Sequence, residues 1–215
     1  MLKEFKSYNP SILKIIAIGR NYADHAKELK NTVPSSPVIF LKPDTALLKS
    51  GEPFYLPDFD SEIHYETELV IKISKEGKHI EEKFASRYYE EISLGLDLTA
   101  RDLQTRLKEK GLPWELAKAF DASAPMGQFI PKSTFENIQD IPFSMKLNGK
   151  LAQSGNSSSM IFSVDYLISF ISKRITLKKG DLIMTGTPEG VGPIHIGDIL
   201  EAYLGEELVL RTEVK

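Results

Sequence analysis

Short apolar runs dominate the chain, broken at regular intervals by glycine and proline. LKIIAIG, PVIFLKP, HYETELVIKIS, EISLGLDLT, IPFSMKLNG, DLIMTG, ILEAYL and LVLRTEV each have the length and the β-branched or alternating character of a strand. KSGEP, KEGK, LNGK, KKGD, TGTPEGVGP and HIGD supply the turns between them. A helical period shows in NYADHAKELK, in TARDLQTRLKEK and in SVDYLISFISK. In the second, Thr99 and Asp102 have the spacing of a capping box and Gly111 stands as the stop. In the third, Val164, Leu167, Ile168 and Ile171 fall on one face. Many strands and few helices predict an α+β, mainly β domain rather than alternating βαβ units. The turns KKGDLI and HIGDIL predict successive hairpins that close a rolled sheet or barrel.

Alternate residues of a strand share a face, so His64, Glu66 and Glu68 point one way while Tyr65, Thr67, Leu69, Ile71 and Ile73 point the other. Taken alone, this is an amphipathic strand with its polar side in water. EISLGLDLTARD adds a complication, because Asp97 stands as the single acid among Leu94, Leu96 and Leu98. A buried, unpaired carboxylate is costly, and either a hard divalent cation or a basic side chain such as Arg101 or Lys118 would offset it. Two carboxylates from one strand and one from the next would fill part of an octahedral shell and leave the rest open, as magnesium prefers.

Composition narrows the classes. The 215 residues suit one domain, and 41% hydrophobic with 27% charged residues is ordinary for a folded globular chain. A net charge of −3 gives no basic excess for nucleic acid. With no cysteine there is no disulfide framework, thiol nucleophile or thiolate metal site, so any metal takes oxygen or imidazole ligands. MLKEFKSYNPSILKIIAIG reads as neither signal peptide nor membrane span, and the expectation is a cytoplasmic protein without a membrane partner.

HYETELVIKI followed by GLDLTARDLQ resembles the metal-binding core of the fumarylacetoacetate hydrolase family, a YExEL strand and then a strand-to-helix junction ending in ARD. AIGRNYADHAKEL, PVIFLKPDTAL, GLPWELAKAFDASAPMG, SSSMIFSVDYLISFIS and KKGDLIMTGTPEGVGP follow that family's order over nearly the whole chain. The closest resemblance is to its short group of acylpyruvases and oxaloacetate decarboxylases. That resemblance implies one catalytic domain over 1–215, a rolled mixed β-sheet, a helical lid over about 20–33 and a homodimer. It also implies Mg²⁺ or Mn²⁺ on Glu66, Glu68 and Asp97.

The remaining site residues have plain readings beside the implied ones. His25 and Glu28 share a helix face, which alone suggests solvated surface; the resemblance makes them a dyad that activates water. Lys118 reads as a snorkelling lysine, and the resemblance sets it against the substrate carboxylate or enolate, with Gln104 nearby. Arg20 reads as half of a salt bridge or as a further carboxylate ligand. TGTPEGVG reads as a tight turn or an anion-binding nest and lacks the spacing and lysine of a P-loop; the resemblance brings Thr187 and the Gly186 backbone to the substrate carboxylate.

The implied chemistry is metal-dependent hydrolysis of a C–C bond in acylpyruvates or related 2,4-dioxo acids, with oxaloacetate decarboxylation through the same enolate. The small-molecule partner is thus a 2-oxo acid. Within the same fold, a dienoate-dioate isomerase or hydratase is the alternative, followed by a non-catalytic protein that binds metal and 2-oxo acid.

Overall fold

Burial on both sides of one sheet decides the architecture. The structure, a computed structural model, describes residues 14–28, 32–60 and 62–215, so the end of the expected lid at 29–31 lies outside it. A mixed eight-stranded sheet, curled into a half-barrel, runs Val38–Lys42, Ile15–Gly19, Leu182–Met184, Thr67–Ile73, Tyr89–Leu96, Ala124–Met126 and Leu47–Lys49, with Ile130–Pro131 beside Tyr89–Leu96. A four-stranded antiparallel sheet and a short three-stranded one, Gly192–Pro193, Ile63–Tyr65 and Thr99–Ala100, complete the β structure.

Leu69, Ile71 and Ile73 enter the larger core with Ile92, Leu94 and Leu96. Val70, on the opposite side, meets Ile15, Ala17, Leu182 and Met184 in a smaller cluster. Covering both faces explains why these strands read as near-continuous apolar runs. The helix Val164–Ser172 covers the larger core with the four residues its period singled out, and Ser163 caps it by accepting from Tyr166 N at 3.2 Å.

Two expectations are corrected. The turns KKGD and HIGD do not form successive hairpins, because Leu182–Met184 lies inside the eight-stranded sheet and Ile199–Leu204 belongs to the four-stranded one. Asp181 explains the first placement: its buried carboxylate accepts from Lys178 N at 2.7 Å and pairs with Lys14, fastening the turn to the first strand. Nor does Thr99 cap the helix Arg101–Glu109. Its hydroxyl donates to the Asp97 carbonyl at 3.1 Å, and the first helical turn is served instead by Asp60 Oδ2, which accepts from Leu103 N at 2.7 Å. The stop at Gly111 holds, with φ of +64°. Among the described residues no helix is long and apolar enough to cross a membrane.

Candidate active site

The strand carrying the two glutamates breaks at Glu66, between Ile63–Tyr65 and Thr67–Ile73. Asp97 N donates to Glu66 O at 2.8 Å, and in the ladder beyond it Glu68 faces Gly95. This register brings Glu66, Glu68 and Asp97 together, one ligand oxygen from each lying within 4.8 Å of the others. Their exposures are 6%, 1% and 1%, so the polar side of HYETEL is not in water. Alternation assigned the face correctly, but the face is covered.

Basic groups surround the acids. Lys118 Nζ donates to Glu66 Oε2 at 2.8 Å, Asp97 Oδ2 at 2.6 Å and Thr99 Oγ1 at 2.6 Å. Arg101 Nη2 reaches Glu66 Oε1 at 2.7 Å. Lys42, which the sequence reading passed over, lies with Nζ 2.8 Å from Asp97 Oδ1 and also donates to the carbonyls of Lys118 and Ser123. A lysine closing the apolar strand VIFLK was the available signal, and it looks no different from a snorkelling one.

The charge balance is uneven. Burial alone would raise the Glu66 carboxyl, but Lys118, Arg101 and His25 hold it well below the usual carboxylate range. Burial would lower Lys118, yet Asp97 and Glu66 keep it above an ordinary lysine. Lys42 is lowered by burial, with Asp97 opposing. Glu68 forms no salt bridge among the described residues, although the charges of Lys118 and Lys42 reach it, and it accepts a hydrogen bond from Gly186 N at 2.7 Å. Burial, followed by the charge of Asp97, pushes it well above its usual value. A clustered set of hard oxygen donors, one of them in no salt bridge among the described residues, fits a divalent cation of the magnesium or manganese type. Gly186 N–H is therefore a support of Glu68. An added Cβ at Gly186, where φ is +97°, would meet Asn21 Cβ at 2.7 Å.

The helix Ala23–Glu28 lies in the segment expected to act as a lid. His25 is buried, and its Nδ1 lies 3.2 Å from Glu28 Oε2. Glu28 Oε1 accepts from Gly190 N at 3.0 Å, tying the helix to the TGTPEGVG loop. Asn21 fastens the helix base by donating to Thr185 O at 2.8 Å and Phe162 O at 3.0 Å. Thr187 is buried, with its hydroxyl accepting from Gln153 Nε2 at 2.9 Å. Gln153 Oε1 in turn accepts from Thr67 N, between the two glutamates, at 2.9 Å. This second unforeseen residue thus spans from the strand that carries the two glutamates to the glycine-rich loop.

The other basic residues lie toward Trp114. Gln104 Oε1 accepts from Arg101 Nη1 at 2.9 Å and from Lys108 Nζ at 3.2 Å. Lys108 Nζ lies 5.1 Å from the Trp114 ring centre, and the Arg20 guanidinium lies 5.9 Å from it. Arg20 forms no salt bridge among the described residues, and its backbone is left-handed at φ 63°.

Residues 14–215 match the family model described as fumarylacetoacetate (FAA) hydrolase C-terminal. The chain is 48% identical over 201 residues to "Oxaloacetate tautomerase FAHD1, mitochondrial" of Mus musculus, covering 94% of this chain and 91% of that one. It is 45% identical over 189 residues to "Oxaloacetate decarboxylase, mitochondrial" of Dictyostelium discoideum, covering 87% of each. Among solved structures, fumarylpyruvate hydrolase from Pseudomonas aeruginosa in complex with Mn²⁺ and pyruvate superposes with a TM-score of 0.89 at 34% identity, over 99% of this chain and 93% of that one.

Proposed function

Because the chain belongs to the fumarylacetoacetate hydrolase family, we propose that it is a divalent-metal-dependent enzyme of 2-oxo acids that generates a pyruvate-type enolate. Its substrates in this reading are acylpyruvates, cleaved by water at a C–C bond, and oxaloacetate, which reaches the same enolate by losing CO₂. The observation that carries the proposal is the buried triad Glu66, Glu68 and Asp97 in one cluster with the Lys118 ammonium. Relatives that act by name on oxaloacetate, and a neighbour solved with Mn²⁺ and pyruvate, support it.

A bound Mg²⁺ or Mn²⁺ would supply Lewis-acid polarisation of the substrate's oxygens and a template for its orientation. The chain's own residues do the rest. Glu28 holds the imidazole of His25 through Nδ1, leaving Nε2 to take a proton from water, whose oxygen then attacks the distal carbonyl. The C–C bond breaks toward the pyruvate fragment, and Lys118, kept charged by the carboxylates around it, lies where enolate charge develops. Thr187, Gln104 and Arg20 receive the substrate carboxylates. The resemblance also carries a homodimer into the proposal, which sedimentation equilibrium measures.

The test is turnover of acetylpyruvate and of oxaloacetate with Mg²⁺ or Mn²⁺, repeated after EDTA. Both activities should vanish with the metal and return on its addition. No turnover of either substrate, or activity that survives chelation, overturns the proposal.

A further inference from the structure

Every basic group in contact with the acid triad has an acid of its own: Lys42 with Asp97, Arg101 with Glu66, and Lys118 with both. Lys108 and Arg20 do not. Among the described residues neither pairs with a carboxylate, although both approach the same Trp114 ring. Lys108 is half-buried, and its one hydrogen bond goes to an amide oxygen, Gln104 Oε1, that already accepts from Arg101.

Placing unneutralised cations side by side at the edge of a buried site is unfavourable unless an anion arrives between them. Burial first, then the charges of Arg101, Arg20 and Lys118, lower the Lys108 ammonium to about 8, with the charge of Glu66 opposing them, although Lys108 forms no salt bridge with that carboxylate. Arg20 is held there by a left-handed backbone that a non-glycine residue adopts only at a cost, at the junction between the first strand and the lid. Arg101, Gln104 and Lys108 follow one another at helical steps of three and four, on a helix face that leads from Glu66 outward to Trp114.

We propose that Lys108 and Arg20 form a subsite for a second carboxylate at the far end of the substrate, so that the enzyme prefers 2-oxo dicarboxylates to 2-oxo monoacids with an uncharged end. The assignment rests on the 2-oxo acid reading above and adds a selectivity residue, Lys108, to it. The Trp114 ring lies beneath the Lys108 ammonium, with Nζ 5.1 Å from its centre. The guanidinium and the ammonium then supply charge-assisted donors to the distal carboxylate.

The experiment compares fumarylpyruvate with acetylpyruvate, two 2,4-dioxo acids that undergo the same cleavage and differ in whether the far end is charged. It uses the Mg²⁺-loaded enzyme and the variants Lys108→Met, which keeps an unbranched side chain without the charge, and Lys108→Arg, which keeps the charge. In Lys108→Met the ratio of kcat/KM for the diacid over the monoacid should fall by about tenfold to a hundredfold, mainly through KM. Lys108→Arg should restore most of the ratio. A parallel fall for both substrates, or an unchanged ratio, overturns the subsite.

Titration calorimetry with 2-oxoglutarate and 2-oxobutyrate separates this from the parent reading. If the wild type turns over neither dioxo acid, the parent reading fails. A diacid preference in binding that Lys108→Met abolishes would then still uphold the subsite, and equal affinities would overturn it.

Discussion

Gly190 donates its backbone N–H to Glu28 Oε1 at 3.0 Å while the other oxygen of the same carboxylate faces His25 Nδ1. The carboxylate that contacts His25 is thereby oriented by main chain. An added Cβ at Gly190, where φ is +94°, would lie 2.7 Å from Ala152 O, so the donor is held by a residue that must be glycine.

Glu28→Gln keeps an acceptor for Gly190 and removes the charge behind His25. Acylpyruvate cleavage should fall by about a hundredfold to ten-thousandfold, as in His25→Ala. Oxaloacetate decarboxylation, which needs no attacking water, should fall much less. Steady-state kinetics on both substrates checks this, and equal losses would remove the division of labour.

Glu68 links pH, metal and stability. Its folded carboxyl keeps a proton that the unfolded chain releases above about pH 4.5, so this group lowers metal-free stability by up to about 1.4 kcal/mol per pH unit above that value, until it ionises in the fold. Glu66 acts in the opposite sense: its depressed value contributes stability above about pH 4.5 that is lost as pH falls. The difference between wild type and Glu68→Gln isolates the first effect. In EDTA the wild type should lose stability relative to the variant as pH rises above about 4.5. A divalent ion at a hundred times its Kd should restore about 2.7 kcal/mol to the wild type and little to the variant, as read by urea unfolding.

Gln153→Leu leaves Thr67 N, Thr187 Oγ1 and the Pro188 carbonyl without their partner in a buried position. Each unsatisfied group costs about 1–3 kcal/mol. The variant should melt lower and show a raised KM, because Thr187 is no longer held. Gln153→Glu retains the acceptor for Thr67 and can accept from the Thr187 hydroxyl while losing the donor to the Pro188 carbonyl, so it should recover part of both the stability and KM. An unchanged KM in Gln153→Leu would show that Thr187 is positioned by something else.

Lys42→Met keeps the apolar stem and deletes the charge beside Asp97. Breaking a buried ion pair from one side costs about 3–5 kcal/mol. Denaturation of the metal-free variant should show that loss, and a divalent ion should reverse part of it by supplying the missing positive charge. Wild-type stability in EDTA would mean that Lys42 does not compensate Asp97.

Periodicity made the acid triad legible, because Asp97 had no reason to stand among leucines without a partner. It could not reveal what covers the face. The file that begins at Glu66 and Glu68 continues through Val70 into the cluster of Ile15, Ala17 and Met184, and only the folded sheet shows this. Arg101 and Lys118, the basic alternatives to a cation, both pair with acids of the triad, yet neither forms a salt bridge with Glu68. Lys42 and Gln153 were not legible because their partners come from distant strands, with no spacing to mark them. Thr99 misled because its position suits a helix cap as well as the lysine ammonium it meets. The contact of His25 with Glu28 was legible from their three-residue step, whereas the burial of His25 and the tie of Glu28 to Gly190 were not.

Glu66 and Asp97 are joined through the main chain, whereas Arg101, Gln104 and Lys108 reach the site as successive side chains of one helix. The two sets of groups are therefore coupled to the fold to different degrees. Altering the acid triad disturbs the strands that hold it, whereas in the proposed reading a change at Lys108, the outermost of the three on the helix, would alter what is accepted at the far end and leave the triad in place.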